Sequence, residues 1–113
     1  MRLYLIGAVT GKPNDNRGTF EAVRSELLRA GYQCDIPHDF IEKGEEWSTA
    51  MLISINNMTR YSHSFLRRGF HSDYDAVAML EGWEESKGAR LEHDICEAIG
   101  MPCKPWREYL NEL

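Results

Sequence analysis

Residues Asp75 to Ile99, DAVAMLEGWEESKGARLEHDICEAI, decide the fold. Asp75–Leu80 is a short apolar run, the length of a strand buried on both faces. Glu81–Gly88 interrupts it with two glycines and four charges. Leu91, Ile95, Ala98 and Ile99 then recur at helical spacing. Strand, polar loop and helix in direct succession build an open α/β sheet, whose ligands bind in the crevice beyond the carboxyl ends of the strands. The loop falls at that crevice, and Glu92 is expected in the first turn of the helix that follows.

Upstream, Leu3–Ile6 reads as a first strand and Gly7–Gly11 as a turn of small residues. Phe20, Val23, Leu27 and Leu28 form a helical stripe, with Asn16 as its N-cap and Gly31 as its stop. Tyr32–Ile36 is the second strand, closed by Pro37. Glu45–Ser48 looks like a helix start, continued by Met51, Leu52, Ile55 and Met58. From Tyr61 to Ser72 the pattern is polar and aromatic without period, an irregular or short helical excursion that is a candidate to cover a site. Downstream, Gly100 ends the third helix, Met101–Cys103 is a short fourth strand, and Trp106–Leu113 a last helical turn or two. The expected fold is α/β, a small Rossmann-like (flavodoxin-like) three-layer domain with a four- to five-stranded parallel sheet. The expected strand order is 2-1-3-4.

Chain length and charge narrow the partners. A chain of 113 residues forms one domain, 1–113, with one core. A net charge of −5 argues against a nucleic-acid polymer as the main partner. The longest apolar run is far short of a membrane span, and Met1-Arg2 leads directly into a strand, so neither a membrane anchor nor a secretory signal is expected. Cys34, Cys96 and Cys103 are an odd number without CxxC spacing; they read as small buried residues, and a reducing, cytoplasmic setting fits them.

Three loops should meet at the switch point: Gly7–Gly11, Pro37–Asp39 and Gly82–Gly88. Gly7 and Gly11 allow close backbone approach, and Thr10 offers a hydroxyl. The spacing matches neither a P-loop nor GxGxxG. Ser86 opens the third helix, where it serves as a cap or helps the helix N-terminus hold an anion. Glu92 reads either as an acid complementing the helix dipole or as a functional carboxylate. Asp75 is a solvated strand end or a hydrogen-bonding partner at the site. Trp47 reads as core, whereas Trp83, flanked by glycine in its loop, is less easily placed there. His38, His63, His71 and His93 show no metal-ligand spacing.

Leu3–Gly11, Asn16, Phe20, Asp75–Leu80 and the run Gly82-Trp-Glu-Glu-Ser-Lys-Gly-Ala-Arg-Leu-Glu92 together resemble the DUF4406 family. That family is frequent in phages and bacteria and is similar to nucleoside 2-deoxyribosyltransferases and 2′-deoxynucleoside 5′-phosphate N-hydrolases. This chain differs from it at Ala8, where a proline is usual. The resemblance implies cleavage or transfer at the N-glycosidic bond of a deoxynucleoside or its 5′-monophosphate. Glu92 would attack C1′, Asp75 would orient or protonate the base, and Tyr4 would align the nucleophile. Gly7, Thr10, Gly11, Ser86 and Gly88 would hold the 5′-phosphate, with Trp83 beside the substrate. It implies no metal or organic cofactor, a small nucleoside or nucleotide as partner, a homodimer or higher homo-oligomer, and a cytoplasmic location, the host's if phage-encoded. Two other functions fit the same residues: a non-catalytic module that binds or sequesters a nucleotide, and an NAD or ADP-ribose glycohydrolase.

Overall fold

The computed structural model describes residues 1–63 and 70–112. Four parallel strands form the central sheet: β1 (Arg2–Ile6), β2 (Gln33–Asp35), β5 (Ala76–Met79) and β6 (Cys103–Pro105), in the order β2-β1-β5-β6. The expected order 2-1-3-4 of the parallel strands is therefore present, with four strands in the sheet. Leu3 pairs with Cys34 on one side and Ala76 on the other, so β1 is central and wholly buried from Leu3 to Ile6.

Alternation along the strands divides the core. Leu3, Leu5, Ala76, Ala78 and Leu80 face α1 (Arg17–Arg29), through Phe20, Val23 and Leu27, and α4 (Trp106–Leu110), through Trp106 and Tyr109. Tyr4, Ile6, Val77 and Met79 face α2 (Trp47–Met58) and α3 (Lys87–Ile99), through Met58 and Cys96. The result is the three-layer Rossmann-like α/β fold. Truncating a fully buried side chain such as Leu5 to alanine costs about 2–5 kcal/mol.

Helix α1 ends as its sequence implies. Gly31 is left-handed (φ 98°), its N–H bonds Leu28 O and the Tyr32 N–H bonds Leu27 O, which is a Schellman closure. Its start differs from expectation. Asn16 stands at the cap position, but its side chain donates to Ala8 O (2.9 Å) and makes no cap bond. The turn before it, Pro13–Asn16, is left-handed at three consecutive residues, Asn14, Asp15 and Asn16 (φ 49°, 55° and 60°).

Two other expectations shift. The last strand lies at Cys103–Pro105 rather than Met101–Cys103, because the left-handed Gly100 turns Met101 N–H back onto Cys96 O (2.9 Å) before the chain reaches the sheet. Pro105 is tolerated because β6 is an edge strand. In place of an irregular excursion, β3 (Tyr61–His63) and β4 (Phe70–Ser72) pair antiparallel as a second, two-stranded sheet. The expectation that this stretch covers the site falls partly on 64–69, outside the described residues. The described arms leave the end of α2 and lead to the amino end of β5, away from the crevice. Among the described residues no helix is long and apolar enough to cross a membrane.

Candidate functional site

Ser86 begins the site by starting α3. Its side chain accepts from Ala89 N–H (3.2 Å), so the cap is made. Gly88, Glu92 and Cys96 then follow at four-residue spacing along the face of α3 turned toward α2. On α2, Met51, Ser54 and Met58 answer them. A Cβ on Gly88 would stand 2.8 Å from Met51 Sδ. Ser54 Oγ donates to Glu92 Oε2 (2.5 Å), and Cys96 Sγ donates to Met58 Sδ (3.9 Å). The two helices are thus joined by three rungs, and the middle one is polar in an otherwise apolar interface.

Glu92 is the sixth residue of α3, not a first-turn acid, and only 4% exposed. The dipole reading therefore loses its footing, since that effect fades beyond the first turn. Burial drives the Glu92 carboxyl up to about 7, against a smaller lowering by the Ser54 hydrogen bond. Tyr4, fully buried on β1, extends the chain of hydroxyls: its phenol lies 2.7 Å from Ser54 Oγ. Since Ser54 spends its proton on Glu92, Tyr4 is the donor to Ser54. Burial, then the nearby Glu92 charge, push the Tyr4 phenol well above its ordinary range, so it stays protonated and keeps donating. Among the described residues Oε1 of Glu92 receives no hydrogen bond.

The carboxylate meets a cavity of about 90 Å³ whose lining includes Gly7, Thr10, His38, Ser54, Ser86 and Gly88. A wider outer chamber of about 770 Å³ shares Thr10, Trp47, Ser86 and Gly88 with it and adds Lys12 and Lys87. That size lies within the ~300–1,000 Å³ of small-molecule sites. Trp47 is half-exposed, forms a wall of both spaces, and lies under the Lys87 ammonium (4.6 Å to the ring centre). It is a lining residue rather than core.

The structure brings Glu92, Gly7, Thr10, Ser86 and Gly88 to one crevice and reaches Tyr4 through Ser54. Gly7 has a packing duty as well: a Cβ there would stand 2.7–2.9 Å from three atoms of Leu80. Asp75 is not brought there. It precedes β5 at the opposite end of the sheet, exposed, and accepts from Arg2 N–H (2.7 Å). Gly11 is left-handed (φ 82°) and lines neither space. Trp83 stacks on His93 (4.5 Å between ring centres) and packs on the core under α3.

Sequence reasoning missed Ser54 and His38. Ser54 is 3% exposed on the apolar stripe of α2, and a lone hydroxyl on such a stripe was the available signal. His38 lies in the Pro37–Asp39 loop that was expected at the switch point. Its Nε2 donates to Asp15 O (2.7 Å), presented by the left-handed turn, and its ring packs on Phe20. With Nε2–H donated to that carbonyl, Nδ1 is left as a buried acceptor with no partner among the described residues. Among the described residues no three His, Cys, Asp or Glu gather to hold a metal ion.

The protein is a Rossmann-like α/β domain with a buried, hydroxyl-braced carboxylate beside the crevice at the carboxyl end of its parallel sheet. The chain belongs to the DUF4406 family, described as a domain of unknown function, whose family model matches residues 1–104. No curated protein and no solved structure matches it.

Proposed function

We propose that this protein cleaves or transfers the N-glycosidic bond of a deoxynucleoside or its 5′-monophosphate, with Glu92 as nucleophile. The observation that carries this reading is the geometry of Glu92: it is only 4% exposed, one oxygen is fixed by Ser54, the other has no hydrogen bond among the described residues, and the residue lines the crevice. A Glu92 oxygen bonds to C1′ as the C1′–N bond breaks and the base departs. Water or an acceptor base then displaces the ester. Ionised Glu92 is costly in its buried position, and positive charge developing at C1′ offsets that cost at the moment of reaction. Tyr4 and Ser54 are positioning residues that fix the rotamer of the carboxylate. Thr10, Ser86 and Lys87 stand around the outer chamber, where a 5′-phosphate meets the N-terminus of α3. His38, rather than Asp75, lines the same cavity as Glu92 and is the better placed to meet the departing base.

The test is base release from a panel of deoxynucleosides and their 5′-monophosphates, with and without an acceptor base, with NAD in the same panel. Release by the wild type and its loss in Glu92→Gln is the expected result, and the acceptor lanes separate transfer from hydrolysis. Nucleotide binding without release would favour a sequestering module, and release of nicotinamide a glycohydrolase.

A further inference from the structure

Trp47 is the first residue of α2 and Lys87 the first of α3, and the two side chains meet beside the crevice. The Lys87 ammonium lies over the indole, 4.6 Å from its ring centre. The indole walls both the inner cavity and the outer chamber, whereas Lys87 lines only the outer one, so the ammonium covers the ring from the outer side. Trp83 and Trp106 are taken up by packing, the first against His93 and the second in the core. Among the described residues four cations lie on aromatic rings, and three of them are also held by a carboxylate: Arg2 by Asp35, Lys104 by Glu112 and Arg107 by Glu81. Lys87 is the fourth, and among the described residues it is in no ion pair. It also stands at the start of α3, where the helix dipole disfavours a cation and favours an anion. Of the four charges, that of Lys87 is therefore the one most readily given up to an incoming anion.

We propose that Trp47 and Lys87 are a displaceable clamp for an anionic ligand with a flat ring: a phosphate entering the outer chamber draws the ammonium off the indole, and the bared ring face stacks on the ligand's base. The clamp rests on the nucleotide ligand proposed above and on no bond-breaking step. A base stacked on an aromatic ring gains more than an exposed ammonium over the same ring, so the exchange at Trp47 runs toward the ligand. The freed ammonium finds a new partner in a charge-assisted hydrogen bond to a phosphate oxygen. Each event favours the other. A nucleoside, which lacks the phosphate, displaces an ammonium that gains only water in exchange. The pair therefore discriminates between nucleotide and nucleoside by more than the phosphate contact alone, and Trp47 is the residue that couples the two parts of the ligand.

The test uses the full chain as Glu92→Gln, so that bound ligand is not consumed. The common deoxynucleosides and their 5′-monophosphates are titrated by calorimetry, and indole emission is followed with the same ligands and with inorganic phosphate alone. The expected result is an emission change, with phosphate and with a monophosphate, that is lost in Trp47→Leu. Trp47→Leu also weakens the monophosphate about tenfold. Lys87→Met weakens the monophosphate and, by baring the indole, tightens the nucleoside about two- to fivefold. A lysine that served only as a phosphate charge would leave nucleoside affinity unchanged in Lys87→Met, and that outcome overturns the clamp. An emission change that survives in Trp47→Leu, or no binding of any monophosphate, also overturns it. Base release by the wild type fails separately: a nucleotide held in this way but never cleaved keeps the clamp and overturns the chemistry.

Discussion

The two ends of the sheet handle carboxylates in opposite ways. Toward its amino end, Asp35 takes Arg2 Nη2 (2.8 Å) and the Tyr74 phenol (2.7 Å), while the Arg2 guanidinium lies over the Tyr74 ring and Asp75 takes Arg2 N–H. Every charge there has a partner and partial access to water. At the carboxyl end, Glu92 is buried with one hydroxyl and, among the described residues, no cation paired to it. The first arrangement fixes β1 and β2 to the segment leading into β5. The second leaves a carboxyl under-solvated and half-satisfied, the condition in which a carboxylate has most to gain from a cationic transition state. The difference teaches that the placement of cations, more than the number of carboxylates, separates the structural end from the chemical one.

Substitution at each end should break that contrast cleanly. The largest effect is expected for Glu92→Gln, which lowers base release by about 10³-fold or more, read by chromatography of the free base. The same variant sharpens the contrast through pH. Glu92 has its folded value raised from 4.5 to about 7, so the folded state binds the proton more tightly than the unfolded one. Its stability contribution is fully present below about 4.5 and is lost as pH rises toward 7. Wild type should therefore lose about 3 kcal/mol across that window relative to Glu92→Gln, measured by urea unfolding at pH 4, 6 and 8. Next, Gly7→Ala should cost about 1–3 kcal/mol by crowding Leu80, including its Cβ, which cannot swing away. The loss would appear as a lower melting temperature with the pH dependence unchanged. The smallest effect falls at the other end: Asp35→Asn should cost about 1 kcal/mol, because the Arg2 pair is partly solvated. It should leave base release within about twofold, and a large loss there would erase the distinction between the ends.

Much of this architecture was legible from DAVAML and the helix after it, because a strand buried on both faces is a continuous apolar run and α3 carries a clean stripe. Gly31 marked the stop of α1 because only a left-handed residue closes that Schellman turn readily. Ser54 was hidden because an apolar stripe is read by its hydrophobic members, and one hydroxyl among Met51 and Met58 leaves the pattern intact. Asp75 was misplaced because its role at the site came from the family resemblance; a residue that opens a parallel strand lies at the amino end of the sheet, away from the crevice. The β3–β4 pairing was missed because three-residue arms gain their order from each other and from neighbours, and Tyr61-Ser-His63 has no apolar alternation to display. Trp47 belonged to a helical stripe, and only packing reveals that this part of the stripe borders an opening.

The central position of β1 has a further consequence, for how the chain is made. Arg2 and Asp75, which brace the start of the central strand pair, are 73 residues apart. A nascent chain emerging from the ribosome can form the β1–α1–β2 unit early, but the inner flank of β1 stays open until β5 has been synthesised. Until then an apolar strand has one unpaired edge, and the buried site below α3 does not exist. Assembly of the sheet is governed by this long closure rather than by its helices, so refolding should be slow for a domain of this size.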